Sequence, residues 1–401
     1  MTRSNQALLK TRLGIETLED RLTPADLSVV GPPDRVPVLL PSLGAPETIQ
    51  SAPEVDAPLT LVPGPLTPRT VIAVGSPAGS LALARLIDSR TGAEVLRVEP
   101  FAGFRGEISV AAGDVNGDGI SDLVVGAGAG GDTHVRAFDG ATGAELANFL
   151  AYRGFNGGIA VAVGDVNGDG FGDIVTGAGA GAPGGHVKVF NVTAHMLPTG
   201  VSVYAGADGT VISYPPNNEL AGRTFLQGEE LASFLTFDST FRGGVSVVAG
   251  DVNRDGFADI ITGAGAGAAN GHVKALSGRT RELLASFQAY NGFTGGVRVS
   301  AADVNGDGVS EVVTQAVGTS HVKVFSADGS TRVSFQSYPS SGYSGFGLAT
   351  ADVNRDGIAD IVATGLTSGA PQLRAFRGID VTPIELAYAL PWDILGGIAV
   401  G

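Results

Sequence analysis

The sequence predicts an all-β protein, specifically a six-bladed β-propeller with four-stranded blades and a flexible N-terminal extension. A nine-residue acidic motif occurs five times, and the chain from residue 70 onward repeats about every 50 residues. Apolar residues alternate with small or polar residues on both sides of the motif, which is the period of a β-strand and not of a helix. Repeats of this length with several strands in each are typical of propellers, in which radial repetition limits exposed sheet edges.

Residues 1–23 predict an export signal. The run Leu-Glu-Asp-Arg-Leu-Thr-Pro at 18–24, at the end of this segment, resembles the leader found at the start of many bacterial surface proteins. The segment lacks the apolar core of an ordinary signal peptide. A short amphipathic helix that carries no address is therefore the alternative interpretation.

Residues 24–69 predict a semi-rigid linker. Eleven of the 21 prolines of the chain fall in this range, which shows little hydrophobic periodicity. Proline-rich segments adopt extended conformations instead of packing into a core. The propeller domain is therefore expected to span residues 70–401.

Each repeat unit contains four strand-like segments. In the second unit these segments are 158–164, 173–177, 185–190 and 230–237. The third segment recurs as His-Val followed by Lys or Arg, and the fourth recurs as Leu-Ala-x-Phe. Four antiparallel strands in about 50 residues make one propeller blade.

The two ends of the domain determine the number of blades. Residues 395–401 match the first strand of a unit, whereas residues 70–101 match the second to fourth strands. Joined together, they complete a sixth blade that closes the ring after five full units. This shared blade lacks the acidic motif, so six blades are expected to carry five motifs.

One insertion interrupts the regular spacing. The second and third motifs start 86 residues apart, which is one period plus about 35 residues. Within the insertion at 191–229, Val201–Tyr204 and Val211–Tyr214 flank a glycine-containing turn and predict a β-hairpin. Recognition often occurs on loops of a rigid scaffold, so the insertion is either a partner site or an elaboration without function.

The acidic motif predicts a Ca²⁺-binding loop. It reads Asp-Val-Asn-Gly-Asp-Gly-Ile-Ser-Asp at 114–122, with oxygen-bearing side chains at positions 1, 3, 5 and 9 and glycine at position 6. Ca²⁺ binds six to eight oxygens, and glycine allows the positive φ that a tight loop around an ion needs. Three carboxylates on one turn would repel each other without a cation. Metal-free Asx turns are the alternative.

An EF-hand is excluded as the context of the motif. An EF-hand requires an acidic ligand at position 12 and a helix on each side. Position 12 is Val, Thr or Ala in the five copies, and the flanking segments are strand-like. The loop is therefore expected to join two strands and to hold a structural ion.

The composition excludes several classes of partner. A net charge of −15 argues against nucleic acid, and the fifteen carboxylates of the five motifs equal this whole acidic excess. The chain has no cysteine, so neither disulfides nor thiol chemistry is available. It also has no run of about 18 apolar residues, so no membrane span is expected.

These motifs resemble the FG-GAP, or VCBS, repeat family, whose best-known members are the propellers of integrin α subunits. The resemblance covers residues 70–401, and the Asp-x-Asn-x-Asp-Gly-x-x-Asp loop is its most specific element. It implies about five Ca²⁺ ions and a role in ligand binding or adhesion outside the cell. Glu311 departs from the Asp expected at position 9, so its site is the least regular.

The resemblance assigns four side-chain ligands to each loop, and the backbone carbonyl of position 7 is expected to add a fifth. The side-chain ligands are Asp114, Asn116, Asp118 and Asp122; Asp165, Asn167, Asp169 and Asp173; Asp251, Asn253, Asp255 and Asp259; Asp303, Asn305, Asp307 and Glu311; and Asp352, Asn354, Asp356 and Asp360. The position-7 residues are Ile120, Phe171, Phe257, Val309 and Ile358.

A basic series recurs on the third strands. Its members are Arg85, Arg136, Lys188, Lys274, Lys323 and Arg374, and a histidine lies two residues before four of them, at His134, His186, His272 and His321. One hypothesis makes the series a ring that binds anionic glycans. The other places these residues at blade interfaces, repeated because the unit was duplicated. A zinc site would require the histidines of several blades to meet near the axis.

These observations predict an exported bacterial protein, located outside the cell or at its surface. It would act as a non-enzymatic binding or adhesion module for a protein or a polysaccharide. The sequence has no Gly-x-Ser-x-Gly, no His-Glu-x-x-His and no cysteine nucleophile. A carbohydrate-active lyase or hydrolase with its site in the central channel is the alternative, because a pair of carboxylates suffices for glycoside hydrolysis. A structural envelope component is the third possibility.

Overall fold

The structure, a computed structural model, describes residues 70–192, 203–205, 211–213, 229–339, 341–367, 370–386 and 399–400. The predicted leader at 1–23 and the predicted linker at 24–69 lie outside these residues, as does most of the predicted insertion. Within the described ranges the chain is built of β-strands, with one short 3-10 turn at Pro183–Gly185. No helix in those ranges has the length and the apolar character needed to cross a bilayer.

The strands form six four-stranded antiparallel sheets, which are the blades. Blade one contains β26 (Ala399–Val400), β1 (Val71–Gly75), β2 (Ala84–Asp88) and β3 (Glu94–Val98). Blade two contains β4 (Ile108–Gly113), β5 (Asp122–Ala127), β6 (His134–Phe138) and β7 (Glu145–Leu150). Blade three contains β8 (Ile159–Gly164), β9 (Asp173–Ala178), β10 (His186–Asn191) and β13 (Glu229–Leu235).

The other three blades repeat the same order. Blade four contains β14 (Val245–Gly250), β15 (Asp259–Ala264), β16 (His272–Leu276) and β17 (Leu283–Gln288). Blade five contains β18 (Val297–Ala302), β19 (Glu311–Ala316), β20 (His321–Phe325) and β21 (Thr331–Gln336). Blade six contains β22 (Ser344–Ala351), β23 (Asp360–Thr367), β24 (Ala370–Phe376) and β25 (Pro383–Ile384).

The predicted closure of the ring is confirmed. The C-terminal strand β26 pairs with β1, with Val400 opposite Val74 and Ala399 opposite Gly75. The first strands of neighbouring blades pack side by side around the axis, from β4 through β22 to β26 and back to β4. Six blades therefore form a closed ring.

Burial follows from the position of a strand within its blade. The second strands β5, β9, β15 and β19 are buried at every residue, because neighbouring blades cover both of their faces. The fourth strands lie at the rim, and β21 accordingly exposes every second residue or more. The alternating pattern that predicts strands is therefore clearest at the rim and weakest in the second strand.

Glycines allow adjacent blades to approach closely. A Cβ on Gly126 of β5 would lie 2.7 Å from Cγ1 of Val161 in the next blade, and Gly177 and Gly263 occupy the same position in blades three and four. A side chain there would have to displace the neighbouring sheet. This explains part of the high glycine content of the chain.

Tyrosines that follow the fourth strands join adjacent blades. The Tyr152 hydroxyl lies 3.0 Å from the backbone carbonyl oxygens of both Thr176 and His186 in blade three. Tyr290 and Tyr338 make the equivalent contacts with the blades that follow them. This role was not predicted from the sequence, although an aromatic residue recurs after the fourth strand.

The connections divide between two faces of the ring. Connections from the first to the second strand and from the third to the fourth lie on one face, which we call the acidic face. The others lie on the opposite, glycine-rich face. The insertion leaves β10 at Asn191 and returns at Glu229, which pair with each other. It therefore departs from the acidic face, and within it β11 (Val203–Ala205) pairs with β12 (Val211–Ser213) where the sequence predicts a hairpin.

A central cavity of about 900 Å³ lies among the first strands and is lined mainly by small and apolar residues. Glu107 and Arg298 are the charged residues of its described lining. They belong to blades two and five, which stand on opposite sides of the ring, and Arg298 Nη2 lies 3.8 Å from Glu107 Oε1. The described lining thus carries one carboxylate, not a pair.

Candidate metal centres

The five acidic motifs all lie on the acidic face. Each joins the first strand of a blade to the second, as 114–122 joins β4 to β5, and strands flank every copy. This confirms the strand–loop–strand context that excluded an EF-hand. The loops are named below by their ranges, 114–122, 165–173, 251–259, 303–311 and 352–360.

The carboxylate at position 1 organises each loop. Asp114 Oδ1 accepts hydrogen bonds from the backbone N–H groups of Gly117 at 2.6 Å and Asp118 at 3.2 Å, and Oδ2 accepts one from Gly119 at 2.8 Å. Three successive N–H groups therefore converge on one carboxylate and curl the chain around it. The same bonds recur on Asp165, Asp251 and Asp303, and two of the three recur on Asp352.

The curl requires left-handed backbone at two positions of the loop. Position 6 is glycine in all five copies, with φ between 81° at Gly119 and 87° at Gly170. Position 4 is also left-handed, and there Arg254 and Arg355 adopt φ of 62° and 61°. Sequence analysis predicted the turn at position 6 and missed the one at position 4, because arginine gives no signal for positive φ.

The carboxylate at position 9 is buried at the start of the second strand. Asp122 Oδ2 accepts the Val115 N–H and Oδ1 accepts the Gly140 N–H, both at 2.9 Å. Burial, with a smaller contribution from the neighbouring carboxylates Asp118 and Asp139, raises the pKa of Asp122 to about 7 despite these hydrogen bonds. Burial likewise raises the pKa of Asp173 to about 7, of Asp259 and Asp360 to about 6, and of Glu311 above its usual range.

The asparagine at position 3 joins the carboxylates of positions 5 and 9. Asn167 Oδ1 accepts the Asp169 N–H at 2.8 Å, while Nδ2 lies 3.0 Å from Asp169 Oδ2 and 3.4 Å from Asp173 Oδ1. One amide nitrogen thus touches both carboxylates, so the two face a common point. Asn253 and Asn354 make the same pair of contacts, and Asn305 and Asn116 each make one of them.

The loops also contact each other around the ring. The Gly172 N–H at position 8 donates to the Asp114 backbone carbonyl oxygen at 2.8 Å, and the same bond joins Ala258 to Asp165, Ser310 to Asp251 and Ala359 to Asp303. In loops 165–173, 251–259 and 352–360 the position-7 side chain packs against the glycine at position 4 of the preceding loop. A Cβ on Gly117 would lie 2.4 Å from Cε1 of Phe171. These contacts between repeats were not predicted from the sequence.

Within the described ranges, no three His, Cys, Asp or Glu side chains are grouped closely enough to hold a metal ion as they stand. In the loops the carboxylates accept backbone N–H groups, and the asparagine amide nitrogen lies between positions 5 and 9. The donor set nevertheless suits Ca²⁺, because three carboxylates and an amide oxygen are hard ligands and a carboxylate oxygen that accepts one hydrogen bond keeps a further lone pair. Positions 3, 5 and 9 are brought together; the carbonyl of position 7 remains a prediction.

The basic series lies at blade interfaces. Lys274 Nζ donates to the Thr236 carbonyl oxygen at 2.7 Å and lies 5.3 Å from the centre of the Phe237 ring in the preceding blade. Arg136, Lys323 and Arg374 donate to the equivalent carbonyls, and Lys188 pairs with Glu230 at 2.6 Å beside the Tyr152 ring. These contacts favour the interface hypothesis over a ring of free cations that binds anionic glycans.

The histidines of the third strands contact their own blades. Nε2 of His186, His272 and His321 lies 2.8 Å from the hydroxyl of Ser233, Ser286 and Ser334, respectively, on the fourth strand of the same blade. The fourth histidine, His134, contacts Asn148 in the same way. The described histidines therefore do not converge on a zinc site.

Comparison with known proteins matches three parts of this chain to FG-GAP repeats. The model of the FG-GAP-like repeat matches residues 114–176 and 303–363, and that of the FG-GAP repeat matches residues 243–276. The segments 114–176 and 303–363 each contain two acidic motifs, and 243–276 contains the fifth, together with the strands around them. No curated protein matches the chain.

Several solved structures resemble the ring at low sequence identity. A protein of unknown function from Bacteroides caccae is 12% identical with a TM-score of 0.44, over 82% of this chain and 97% of that one. An Agrocybe aegerita lectin described as recognising non-reducing terminal N-acetylglucosamine is 16% identical with a TM-score of 0.39, over 81% and 91%. The Dos1 propeller is 14% identical with a TM-score of 0.40, over 80% and 68%.

The repeat matches and the blades coincide. The matched segments fall on blades two, three, four, five and six, each beginning at or just before an acidic loop. The six blades close into one ring through β26 and β1. The chain is an FG-GAP repeat β-propeller.

Proposed function

We propose that this propeller is a non-enzymatic binding or adhesion module, located outside the cell or at its surface, whose five acidic loops hold structural Ca²⁺. Its partner would be a protein or a polysaccharide. The observation that supports the metal assignment is the convergence of the position-5 and position-9 carboxylates on one point in the loops, as Asn167 records between Asp169 and Asp173.

The side chains at positions 1, 3, 5 and 9 of each loop would hold the ion. A bound Ca²⁺ supplies positive charge that offsets the mutual repulsion of the three carboxylates. The position-9 carboxylate stands at the start of a fully buried strand, so the loop connects the site directly to the core of its blade. This placement favours a structural role for the ion.

A location outside the cell is consistent with loops of this kind. Ca²⁺ loops in extracellular modules bind in the range of about 10⁻⁴–10⁻³ M, which suits the millimolar Ca²⁺ found there. The leader-like run at 18–24 supports the same location. Export is therefore part of the proposal.

Binding without catalysis is supported by the central cavity. Glycoside hydrolysis usually requires two carboxylates across the reacting bond, whereas the described lining of the cavity carries only Glu107, which already contacts Arg298. No observation favours the lyase or hydrolase over the binding module. Recognition would then fall to the loops of the two faces and to the insertion at 191–229.

The metal assignment is tested by thermal unfolding of the full chain in EDTA and in 5 mM Ca²⁺, with ion stoichiometry from calorimetry. Sites with these affinities would each add about 1–2 kcal/mol to the free energy of unfolding at that concentration. About five ions per chain and a higher melting temperature are expected. Equal melting temperatures together with no bound Ca²⁺ would overturn the assignment.

The binding role is tested with glycan arrays and with a polysaccharide pull-down, followed by analysis of the supernatant for sugar fragments. Binding of a glycan or protein without product release is expected. Release of fragments, abolished in a Glu107→Gln variant, would instead establish the enzyme.

A further inference from the structure

We propose that Asp139 is an additional cation ligand of loop 114–122 and that the five loops consequently differ in affinity, with 114–122 the tightest site and 303–311 the weakest. The inference rests on the proposed function, since it presupposes that the loops bind Ca²⁺. Its two main residues, Asp139 and Arg332, lie outside the repeated motif.

Asp139 lies outside the motif but faces it. It is the first residue after β6, nine-tenths buried, and its Oδ1 accepts the backbone N–H groups of Ala141 and Thr142 at 2.8 Å. The other oxygen, Oδ2, lies 3.4 Å from Asn116 Nδ2. The same amide nitrogen lies 3.4 Å from Asp118 Oδ2. A carboxylate from another connection therefore shares the Asn116 amide nitrogen with the position-5 carboxylate of the loop.

The equivalent position differs from blade to blade. The residue after the third strand, or at its end, is Asp139, Asn191, Ser277, Ser326 and Arg377 in blades two to six. Asn191 makes the corresponding contact in blade three, where its Nδ2 lies 3.0 Å from Asp169 Oδ2. Loop 114–122 alone among the five has a carboxylate at this position, so four carboxylates instead of three surround its site.

Loop 303–311, by contrast, has positively charged groups beside it. Arg332 Nη1 lies 3.3 Å from Oε1 of Glu311, the position-9 carboxylate. The Arg254 guanidinium of the preceding loop also lies beside this one, because a Cβ on Gly308 would be 3.4 Å from Arg254 Nη2. Two guanidinium groups therefore already offset the negative charge that would attract a cation. This gives a physical reason for the irregularity that Glu311 predicts.

Ligand charge count and site rigidity together set the affinity of oxygen-ligand Ca²⁺ sites. A fourth carboxylate adds attraction for a divalent cation, and adjacent arginines reduce it. The loops otherwise share one backbone arrangement, because the position-5 N–H donates to the position-1 carboxylate in all five. Asp139 therefore makes loop 114–122 the tightest site, and Arg332 with Arg254 makes loop 303–311 the weakest.

Calorimetric Ca²⁺ titration of the full chain tests the ranking, with native mass spectrometry to count ions. The wild type should fill one site before the others and one site last. Asp139→Asn should weaken the first site about tenfold or more, while Arg332→Gln should strengthen the last. Ser277→Asp should create a second tight site in loop 251–259. Asp238→Asn is the matched control, because it removes an exposed carboxylate of the glycine-rich face.

Each outcome separates this inference from the function on which it rests. If the wild type binds no Ca²⁺, both the Ca²⁺ assignment and the affinity ranking are wrong. If it binds about five ions but Asp139→Asn, Arg332→Gln and Ser277→Asp all titrate like the wild type, the ranking is wrong and the Ca²⁺ assignment stands. Ser277→Asp keeps the test decisive if Asp139→Asn fails to fold, because it adds a ligand and leaves every native contact of Asp139 in place.

Discussion

The ring of Phe171 packs on the backbone of Gly117, so that the seventh residue of one acidic loop covers the fourth residue of the loop before it. The same relationship joins Phe257 to Gly168 and Ile358 to Gly306. Together with the backbone hydrogen bonds between loops, it makes the loops a structural part of the blade interfaces. The free energy of unfolding should therefore depend on contacts between repeats as well as on contacts within each repeat.

Gly117→Ala should destabilise the protein more than Gly119→Ala, although both glycines lie in one loop. Both have positive φ, 75° and 81°, so each substitution costs about 1–2 kcal/mol in backbone strain. Only at Gly117 would the new Cβ meet a neighbour, the Phe171 ring at 2.4 Å, which adds about 1–3 kcal/mol. Chemical denaturation of both variants measures the difference.

A double-mutant cycle identifies the cause. If Phe171 is responsible, then Phe171→Ala should reduce the extra cost of Gly117→Ala. An equal loss of unfolding free energy in the two glycine variants would show that the loop shifts to accommodate the new Cβ without a clash with the Phe171 ring.

Gln315→Met should raise the free energy of unfolding. Gln315 is fully buried in β19, and neither Nε2 nor Oε1 has a hydrogen-bond partner. Blades two, three and four have glycine at this position, namely Gly126, Gly177 and Gly263. Methionine keeps the length of the side chain and removes the unsatisfied amide, a gain of about 1–3 kcal/mol. A thermal melt measures it.

Gln336→Met is the control for that substitution, because Gln336 is exposed and its Oε1 accepts the Ser320 hydroxyl at 2.7 Å. It should be neutral or destabilising. A lower melting temperature for Gln315→Met would mean that a buried partner, such as a water molecule, satisfies the amide.

Lys323→Met should destabilise the interface between blades four and five. Lys323 Nζ donates to the Ala289 carbonyl oxygen at 2.9 Å and lies 5.1 Å from the centre of the Tyr290 ring. Loss of both contacts should cost about 1–3 kcal/mol. Arg153→Met removes an exposed cation instead and should cost little. Similar melting temperatures for the two variants would contradict the interface hypothesis and favour a ring of free cations.

Acidification should destabilise the protein partly through His321. Burial, and then the charge of Lys323, lowers the pKa of His321 in the folded state. The unfolded chain therefore binds this proton more readily, so stability present at neutral pH is lost as the pH falls below about 6.5. The loss of unfolding free energy between pH 7.5 and 5.5 should be smaller in His321→Gln than in the wild type. Identical losses would contradict the lowered pKa.

Much of the fold could be predicted from local sequence. The predicted strands 158–164 and 173–177 differ by one residue at an end from Ile159–Gly164 and Asp173–Ala178, because alternation and repeat spacing are properties of neighbouring residues. The closing of a sixth blade also followed from counting strands at both ends of the domain.

The site could be predicted only in part. The motif identified positions 1, 3, 5 and 9, but not the contact of Asp139 with Asn116, which joins residues of different connections. The left-handed backbone of Arg254 could not be predicted from the sequence either, because arginine does not favour positive φ and the surrounding structure imposes it. The recurrence of the basic series predicted a blade-interface position for Lys323 as one of two hypotheses, but not its acceptor, the carbonyl oxygen of Ala289.

The hydrogen bonds between acidic loops form an open arc and not a closed hoop. Four of them join five loops, from Asp114 to Ala359, and blade one, which lacks the motif, interrupts the series. The ring therefore has a seam. Amide protons of blade one should exchange with solvent sooner than those of the other five blades, and a pulling force applied to the ring should open it there first.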